Sequence, residues 1–199
     1  MFAEPDDPSP RPKLWEGLAP LTSPRARVLV LGSFPGAVSL QTQQYYGHPR
    51  NHFWPILGAL WGMDLMAMAY AERVECALQH GLAVWDVYAQ CRREGSLDSA
   101  IRDAVPNDLP SLVRGLPRLQ AIAHNGAESA RAMKATAALG LPVYRLPSTS
   151  PANASWSFER KLAAWREVFV RATQMSDGQI RFVGLTSMLI GLLLLLVWR

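Results

Sequence analysis

Cysteine is scarce in this 199-residue chain, which has only Cys76 and Cys91. They form no Cys-x-x-Cys pair and join no His/Cys cluster. That excludes a structural zinc site and an iron–sulfur cluster held by four thiolates. No apolar segment follows Met1. Residues 1–12 are rich in Pro and Asp, so no secretory signal opens the chain and a reducing, cytoplasmic setting is expected. An internal repeat is lacking too. Acidic residues do not predominate: net charge is +4 and the sequence pI about 9.4. This leaves open a basic face for a phosphate backbone and a basic surface with no such partner. The 49% hydrophobic content allows a full core, and the length suits one domain.

Short apolar runs alternate with helical stretches. Strands are expected at Arg27–Leu31, Leu82–Trp85, Leu119–Ala123 and Pro142–Leu146. Helices are expected from Asn51 to Trp61, Met66 to His80, about Leu97 to Asp103, after Asp108, Ala127 to Leu139, and Trp156 to Thr173; Leu14 to Leu18 reads as one helical turn. In the last long helix Phe158, Leu162, Trp165 and Phe169 share a face, and Arg160, Lys161, Arg166 and Arg171 lie on the other side. The alternation predicts an α/β fold, a three-layer α/β/α sandwich around a parallel sheet of roughly four strands. Gly32 to Trp54 reads as a long loop at the carboxyl end of the first strand, where open α/β sheets place ligands. It is dense in Gln, Tyr and His, with Arg50 and Asn51.

The tail is different material. Phe182 to Trp198 carries no charge, has five consecutive leucines and is flanked by Arg181 and Arg199. Its 17 residues stand at the lower edge for crossing hydrocarbon. A C-terminal membrane anchor, a helix packed on the domain and a dimer contact all fit it.

Four separated segments occur in an informative order: Gly32-Ser-Phe-Pro-Gly36 with Tyr45-Tyr-Gly-His-Pro-Arg-Asn-His-Phe-Trp54; Leu82-Ala-Val-Trp-Asp-Val87 with Gly95-Ser-Leu-Asp-Ser-Ala-Ile101; His124-Asn-Gly126; and Pro147-Ser-Thr-Ser-Pro-Ala-Asn153. Together they resemble the motifs of the uracil-DNA glycosylase superfamily, with the hypoxanthine-DNA glycosylase branch the better match. The resemblance runs from about Arg27 to Val170. It implies a glycosylase-like domain, taken as 13–175; the Pro-rich stretch 1–12 is expected to be disordered from its composition, and the linker with the apolar C-terminal helix over 176–199 lies outside the resemblance. It further implies an enzyme that hydrolyses the glycosidic bond of a deaminated base in double-stranded DNA without metal or other cofactor; separately, a monomer is expected. Hypoxanthine is the expected base, and uracil or mismatched thymine the alternative. No lysine stands out as a Schiff-base nucleophile, which argues against a lyase step. A non-catalytic DNA- or nucleotide-binding module tethered to a membrane is the reading of another class.

On this resemblance Asn51 matches the amide that positions the attacking water, although an Asn there also suits a helix N-cap. A related branch has an Asn where this chain has Ser33, so Ser33 is the second candidate. His48 either stabilises the leaving base, contacts phosphate or makes a rigid turn with Pro49. The base pocket is expected to comprise Phe34, Pro35, Gly36, Tyr45, Tyr46, Phe53, Asp86 and Asn125, with capping or turn roles open for Asp86 and Asn125. Arg50, Ser148, Thr149, Ser150 and Asn153 are expected on the DNA backbone. Arg160 and Lys161 fit a phosphate contact too, with ordinary surface charge the commoner explanation for such residues.

Overall fold

The computed structural model describes residues 12–172. The expected disordered segment, apart from Pro12, and the expected apolar helix Phe182–Trp198 lie outside the described residues. No helix among the described residues is long and apolar enough to cross a membrane.

The centre is β2 (Val28–Gly32), with all five residues buried. It pairs in parallel with β3 (Leu82–Asp86) on one side and β6 (Ala121–Asn125) on the other, and β6 pairs with β7 (Val143–Leu146). The order β3-β2-β6-β7 makes a four-stranded parallel sheet. Buried on both faces, such strands read as continuous apolar runs. Successive residues of β2 still point to opposite sides. Val28 and Val30 pack with α2 (Phe53–Trp61), α3 (Tyr70–Gln79) and a helix over residues 158–172, through Phe53, Trp54, Ile56, Ala77 and Trp165. Leu29 and Leu31 pack with Leu109 of α4 (Leu109–Arg114), with Leu116 and Leu119, and with Ala132 before α5 (Met133–Ala137). Helical layers on both faces make the three-layer sandwich.

A second sheet departs from the sequence reading. β1 (Leu14–Glu16), β4 (Tyr88–Arg92) and β5 (Arg102–Pro106) form an antiparallel sheet in the order β1-β4-β5. The first replaces the expected helical turn, and the third ends the expected helix at Leu97–Asp103 after a single 3-10 turn, Asp98–Ala100. Both strands are short, and β5 is wholly exposed, so their conformation is set by pairing with β4 rather than by local pattern.

Other differences are local. The expected loop Gly32–Trp54 contains α1 (Ala37–Thr42), which stops at Gln43 in the left-handed region. The expected helix from Met66 is a 3-10 turn, Leu65–Ala67, capped by Asp64, followed by α3. Residues expected as one helix from Ala127 form a 3-10 turn, Ser129–Ala132, and then α5. β6 runs two residues further than expected, because Leu31 pairs with His124. His124 and Asn125 are therefore a strand end and not a turn.

Candidate active site

A cleft of about 870 Å³ opens at the carboxyl ends of the parallel strands. It is lined by Gly32–Ser39 after β2, by Tyr45, Tyr46, His48 and Asn51, by Asp86 at the end of β3, by Ser96–Ser99, by Asn125–Glu128 after β6, and by Arg145–Asn153 around the end of β7. The structure thus brings together Ser33, Phe34, Pro35, Gly36, Tyr45, Tyr46, His48, Asn51, Asp86, Asn125, Ser148, Thr149, Ser150 and Asn153. Phe53 and Arg50 are not among the lining residues.

Asp86 and Gly32 are register partners. A Cβ on Gly32 would stand 2.2 Å from Asp86 Oδ1 and 3.4 Å from Tyr46 Oη, so glycine makes the room in which these two groups meet. The Asp86 carboxylate is buried, and its Oδ2 has no hydrogen-bond partner. Burial pushes its pKa up to about 7. The Tyr45 phenol works against that rise, Asp98 adds to it, and Arg93 opposes it. Tyr46 is held in the left-handed region at φ 56°, an uncommon conformation for an aromatic residue. Its ring stacks on Phe53 with centroids 3.8 Å apart. Its phenol oxygen accepts from Asn125 Nδ2 at 3.1 Å, which leaves the phenol proton free to donate.

This arrangement corrects one expectation about the pocket, for Phe53, and one about the DNA backbone, for Thr149, and it gives Asn125, at the cleft as expected, a role that is neither cap nor turn. Phe53 is fully buried behind Tyr46 and offers no face to a base. Asn125 is a latch: Nδ2 donates to Tyr46 Oη and to Thr149 Oγ1 at 2.9 Å, and Oδ1 accepts from the Thr149 N–H at 3.0 Å. Thr149 is consequently buried, and its hydroxyl is not available to phosphate. The Thr149 carbonyl accepts from the His52 N–H at 3.0 Å, so the loop after β7 is tied to the loop after β2 as well. Gly126, at φ 104°, lets Ser148 approach to where a Cβ would stand 3.0 Å from the Ser148 Cβ.

Asn51 lies just before α2, and its Oδ1 accepts from the Phe53 N–H at 3.0 Å. The amide is therefore held in place by the helix start, with Oδ1 retaining a second lone pair and Nδ2 giving two donors. His48 Nδ1 accepts from the Arg50 N–H at 3.1 Å, so neutral His48 carries its proton on Nε2. Ser33 Oγ donates to Asp98 Oδ1 at 2.7 Å. Ser148 Oγ and Ser150 Oγ accept from the Ser150 and Ala152 N–H groups, and Asn153 Nδ2 donates to the Ser148 carbonyl at 3.0 Å, folding this loop on itself.

Sequence reasoning missed three contributors. Asp98 was visible in the Gly95–Ile101 segment, without a role. Ser96 accepts from the Ala37 N–H at the start of α1 at 2.9 Å. Arg93 is buried, stands over the Phe34 ring at 5.2 Å and donates to the Pro35 carbonyl, bracing the loop after β2 from behind. Nothing in the sequence distinguishes Arg93 from its neighbour Arg92. Lys161, expected on the surface, is buried near His52, and burial lowers its pKa. Arg160 is exposed, with its guanidinium over Trp156. His124 is a core histidine. Ser129 Oγ donates to the Leu31 carbonyl and lies 2.9 Å from Nδ1, while Thr136 Oγ1 lies 2.8 Å from Nε2. Burial lowers its pKa to about 4 and keeps it neutral. No group of three or more His, Cys, Asp and Glu side chains that could hold a metal occurs among the described residues.

Comparison with known proteins now bears on this geometry. Residues 19–169 match the model of the uracil DNA glycosylase superfamily. Residues 163–198 match a second model, described as an uncharacterized protein conserved in bacteria. The chain is 35% identical over 156 residues to the hypoxanthine DNA glycosylase of Methanosarcina barkeri, covering 78% of this chain and 98% of that one. It is also 35% identical over 153 residues to that of Methanosarcina acetivorans, covering 77% and 96%. A solution NMR structure from Methanosarcina acetivorans, described as a candidate uracil DNA glycosylase, superposes with a TM-score of 0.73 at 33% identity, covering 81% of this chain and 99% of that one. The parallel sheet, the cleft at its carboxyl edge and the matches across that same stretch lead to one assignment: the chain belongs to the uracil DNA glycosylase superfamily.

Proposed function

We propose that this chain is a monofunctional DNA glycosylase that hydrolyses the N-glycosidic bond of hypoxanthine flipped out of double-stranded DNA. The observation that carries the reading is Asp86 with a partnerless oxygen beside a Tyr46 phenol whose proton is free. A buried acceptor without a donor is costly in a folded protein and calls for a ligand that supplies one. Deamination of adenine changes N1 from an acceptor into an N–H donor and replaces the 6-amino group by a carbonyl. The Asp86 carboxylate suits the new donor and the Tyr46 hydroxyl suits the new acceptor, whereas adenine offers each the wrong partner. Because the base is unreachable inside a duplex, it enters extruded, with Phe34 supplying an apolar wall.

In this reading Asn51 Oδ1 positions the attacking water with the lone pair that the Phe53 N–H leaves free. Ser33, polarised by Asp98, is a second water contact. The His48 Nε2–H donates to the leaving base or to a phosphate oxygen. Arg50, Ser148, Ser150 and Asn153 contact the backbone. Charge on the leaving base is stabilised by fixed donors, and no step calls for a cofactor. Uracil carries the same lactam edge as hypoxanthine, N–H beside C=O, so Asp86 and Tyr46 also support a uracil reading.

The test is alkaline strand cleavage on duplexes bearing one hypoxanthine, uracil or mismatched thymine. Cleavage at hypoxanthine is expected, and Asn51→Ala should fold and lose about 10²–10³-fold, the scale of losing one positioned polar group. Cleavage at uracil alone would replace the substrate. Full activity in Asn51→Ala would move water positioning to Ser33.

A further inference from the structure

We infer that Met63, Cys76 and His80 form a binding site for a single soft monovalent metal ion, copper(I) in kind, on the side of the molecule away from the cleft. The site is built where α2 and α3 end together. Gly62, in the left-handed region at φ 68°, closes α2, and the Met63 N–H turns back to the Gly58 carbonyl at 2.9 Å. The Cys76 thiol donates to Met63 Sδ at 3.6 Å, and His80 Nδ1 lies 3.6 Å from the same Cys76 Sγ. The Trp61 and His80 rings stack with centroids 4.3 Å apart, which holds the imidazole plane. α3 leads through Gly81 into β3, so the cluster stands at the amino edge of the parallel sheet, and none of its residues lines the cleft. Nothing in the glycosylase reading bears on it.

A thiolate, a thioether and an imidazole are the soft donors that select copper(I). Metal bonds run about 2.3 Å to thiolate sulfur and about 2.0 Å to imidazole nitrogen. A three-coordinate ion with such bonds spaces its donors about 3.7–4.0 Å apart, so the two spacings already present need to open by only a few tenths of an ångström. One thiolate neutralises one monovalent ion, and the loaded site carries no net charge, which suits a cysteine only 8% exposed. Zinc would keep a positive charge there and is left one ligand short of the four it takes in structural sites. Loading releases the thiol proton to water and places the imidazole proton on Nε2. The ring then gives up its 2.8 Å contact with the Cys76 carbonyl, but that carbonyl keeps the His80 backbone N–H at 3.0 Å. Met63 and His80 are exposed, which gives the ion a way in.

The experiment titrates the full chain, reduced and kept free of oxygen, into the coloured copper(I) complex of bicinchoninate. Wild-type protein should withdraw a single equivalent of copper and bleach the colour to match. Cys76→Ser should weaken binding about 100-fold or more, and Met63→Leu and His80→Gln about 10-fold each, the scale on which metal sites respond to loss of a partner. Met63→Leu changes an exposed side chain to one of similar volume, so its loss of binding is not a loss of fold. X-ray absorption on the loaded protein should count two sulfur neighbours and one nitrogen around copper. Copper(I) should also raise the unfolding temperature of wild-type protein and leave that of Cys76→Ser where it was. A colour that wild-type protein does not bleach overturns the site. Undiminished withdrawal by Cys76→Ser or Met63→Leu puts the copper elsewhere and overturns it equally. Zinc that displaces copper in equimolar competition overturns the soft-ion assignment.

Discussion

Two polar residues end the strands that flank β2, Asp86 on β3 and Asn125 on β6, and they face opposite fates. Asn125 has both amide protons and its carbonyl engaged, on Tyr46 and Thr149. Asp86 is as deeply buried, yet one of its oxygens has no partner and its pKa stands near 7. The same place in the fold, one strand apart, therefore serves two purposes. A buried polar group with every bond made is scaffold: it fixes the loop after β7 against the loop after β2. In the proposed reading, the one left incomplete at the cleft is the one that meets the base. His124, beside Asn125, belongs with the scaffold, as its two hydroxyl partners and neutral state indicate.

The largest expected effect tests the scaffold half. Asn125→Ala would leave the buried Thr149 N–H and hydroxyl and the Tyr46 phenol without their partner. A stability loss on the order of 3–5 kcal/mol should follow, read as a lower urea midpoint. Excision should fall with it. A loss under about 1 kcal/mol would break the comparison, because Asn125 would then hold nothing together.

Asp86→Asn should act in the opposite direction. The carboxyl ionises at about 7 in the folded chain against an ordinary 3.8, so the fold disfavours its charge. Its contribution to stability is intact below about pH 4 and is lost as pH rises through 7. Replacing it by a neutral amide should raise stability by up to about 4 kcal/mol at pH 8 and change it little at pH 4. Catalysis should show the mirror image. Wild-type excision rises with pH through about 7 as the carboxylate forms, since only that form accepts the base N–H, and Asp86→Asn is slower with no such rise. Asp98, Arg93 and the two tyrosines face Asp86 and set where the rise falls. A fall in wild-type activity over the same window would make Asp86 a proton donor.

The asymmetry between these strand ends explains what could be read from sequence. Strand β2 was legible because a strand covered on both faces must be apolar throughout. Most pocket residues were legible too, since the loop after β2 is rich in groups that bind. Which residues are engaged was not. Phe53 and Tyr46 are aromatics of one motif, yet Tyr46, at φ 56°, lines the cleft and Phe53 stacks behind it. Thr149 lies in a loop of hydroxyls, and the partner that buries it is 24 residues earlier in the chain. The antiparallel sheet was invisible for a related reason: its outer strands exist through pairing with β4, which for β1 lies more than 70 residues on.

The smallest expected effect concerns the residue between the two strand ends. Gly32 does not occupy the left-handed region, so Gly32→Ala tests space alone. The added methyl would meet Asp86 Oδ1, the end of a side chain that is able to turn aside, and not backbone. The stability cost should therefore stay near 1 kcal/mol, the low end for overpacking a core. Excision should nonetheless drop about 10-fold, the effect expected when a hydrogen bond to a charged group is lost to misplacement. The pair is separable by a double-mutant cycle. In an Asp86→Ala background the methyl has nothing to displace, so Gly32→Ala should cost neither stability nor further activity. If the two losses simply add, the glycine serves Tyr46 or the path of the base, and the room it leaves is not there for Asp86.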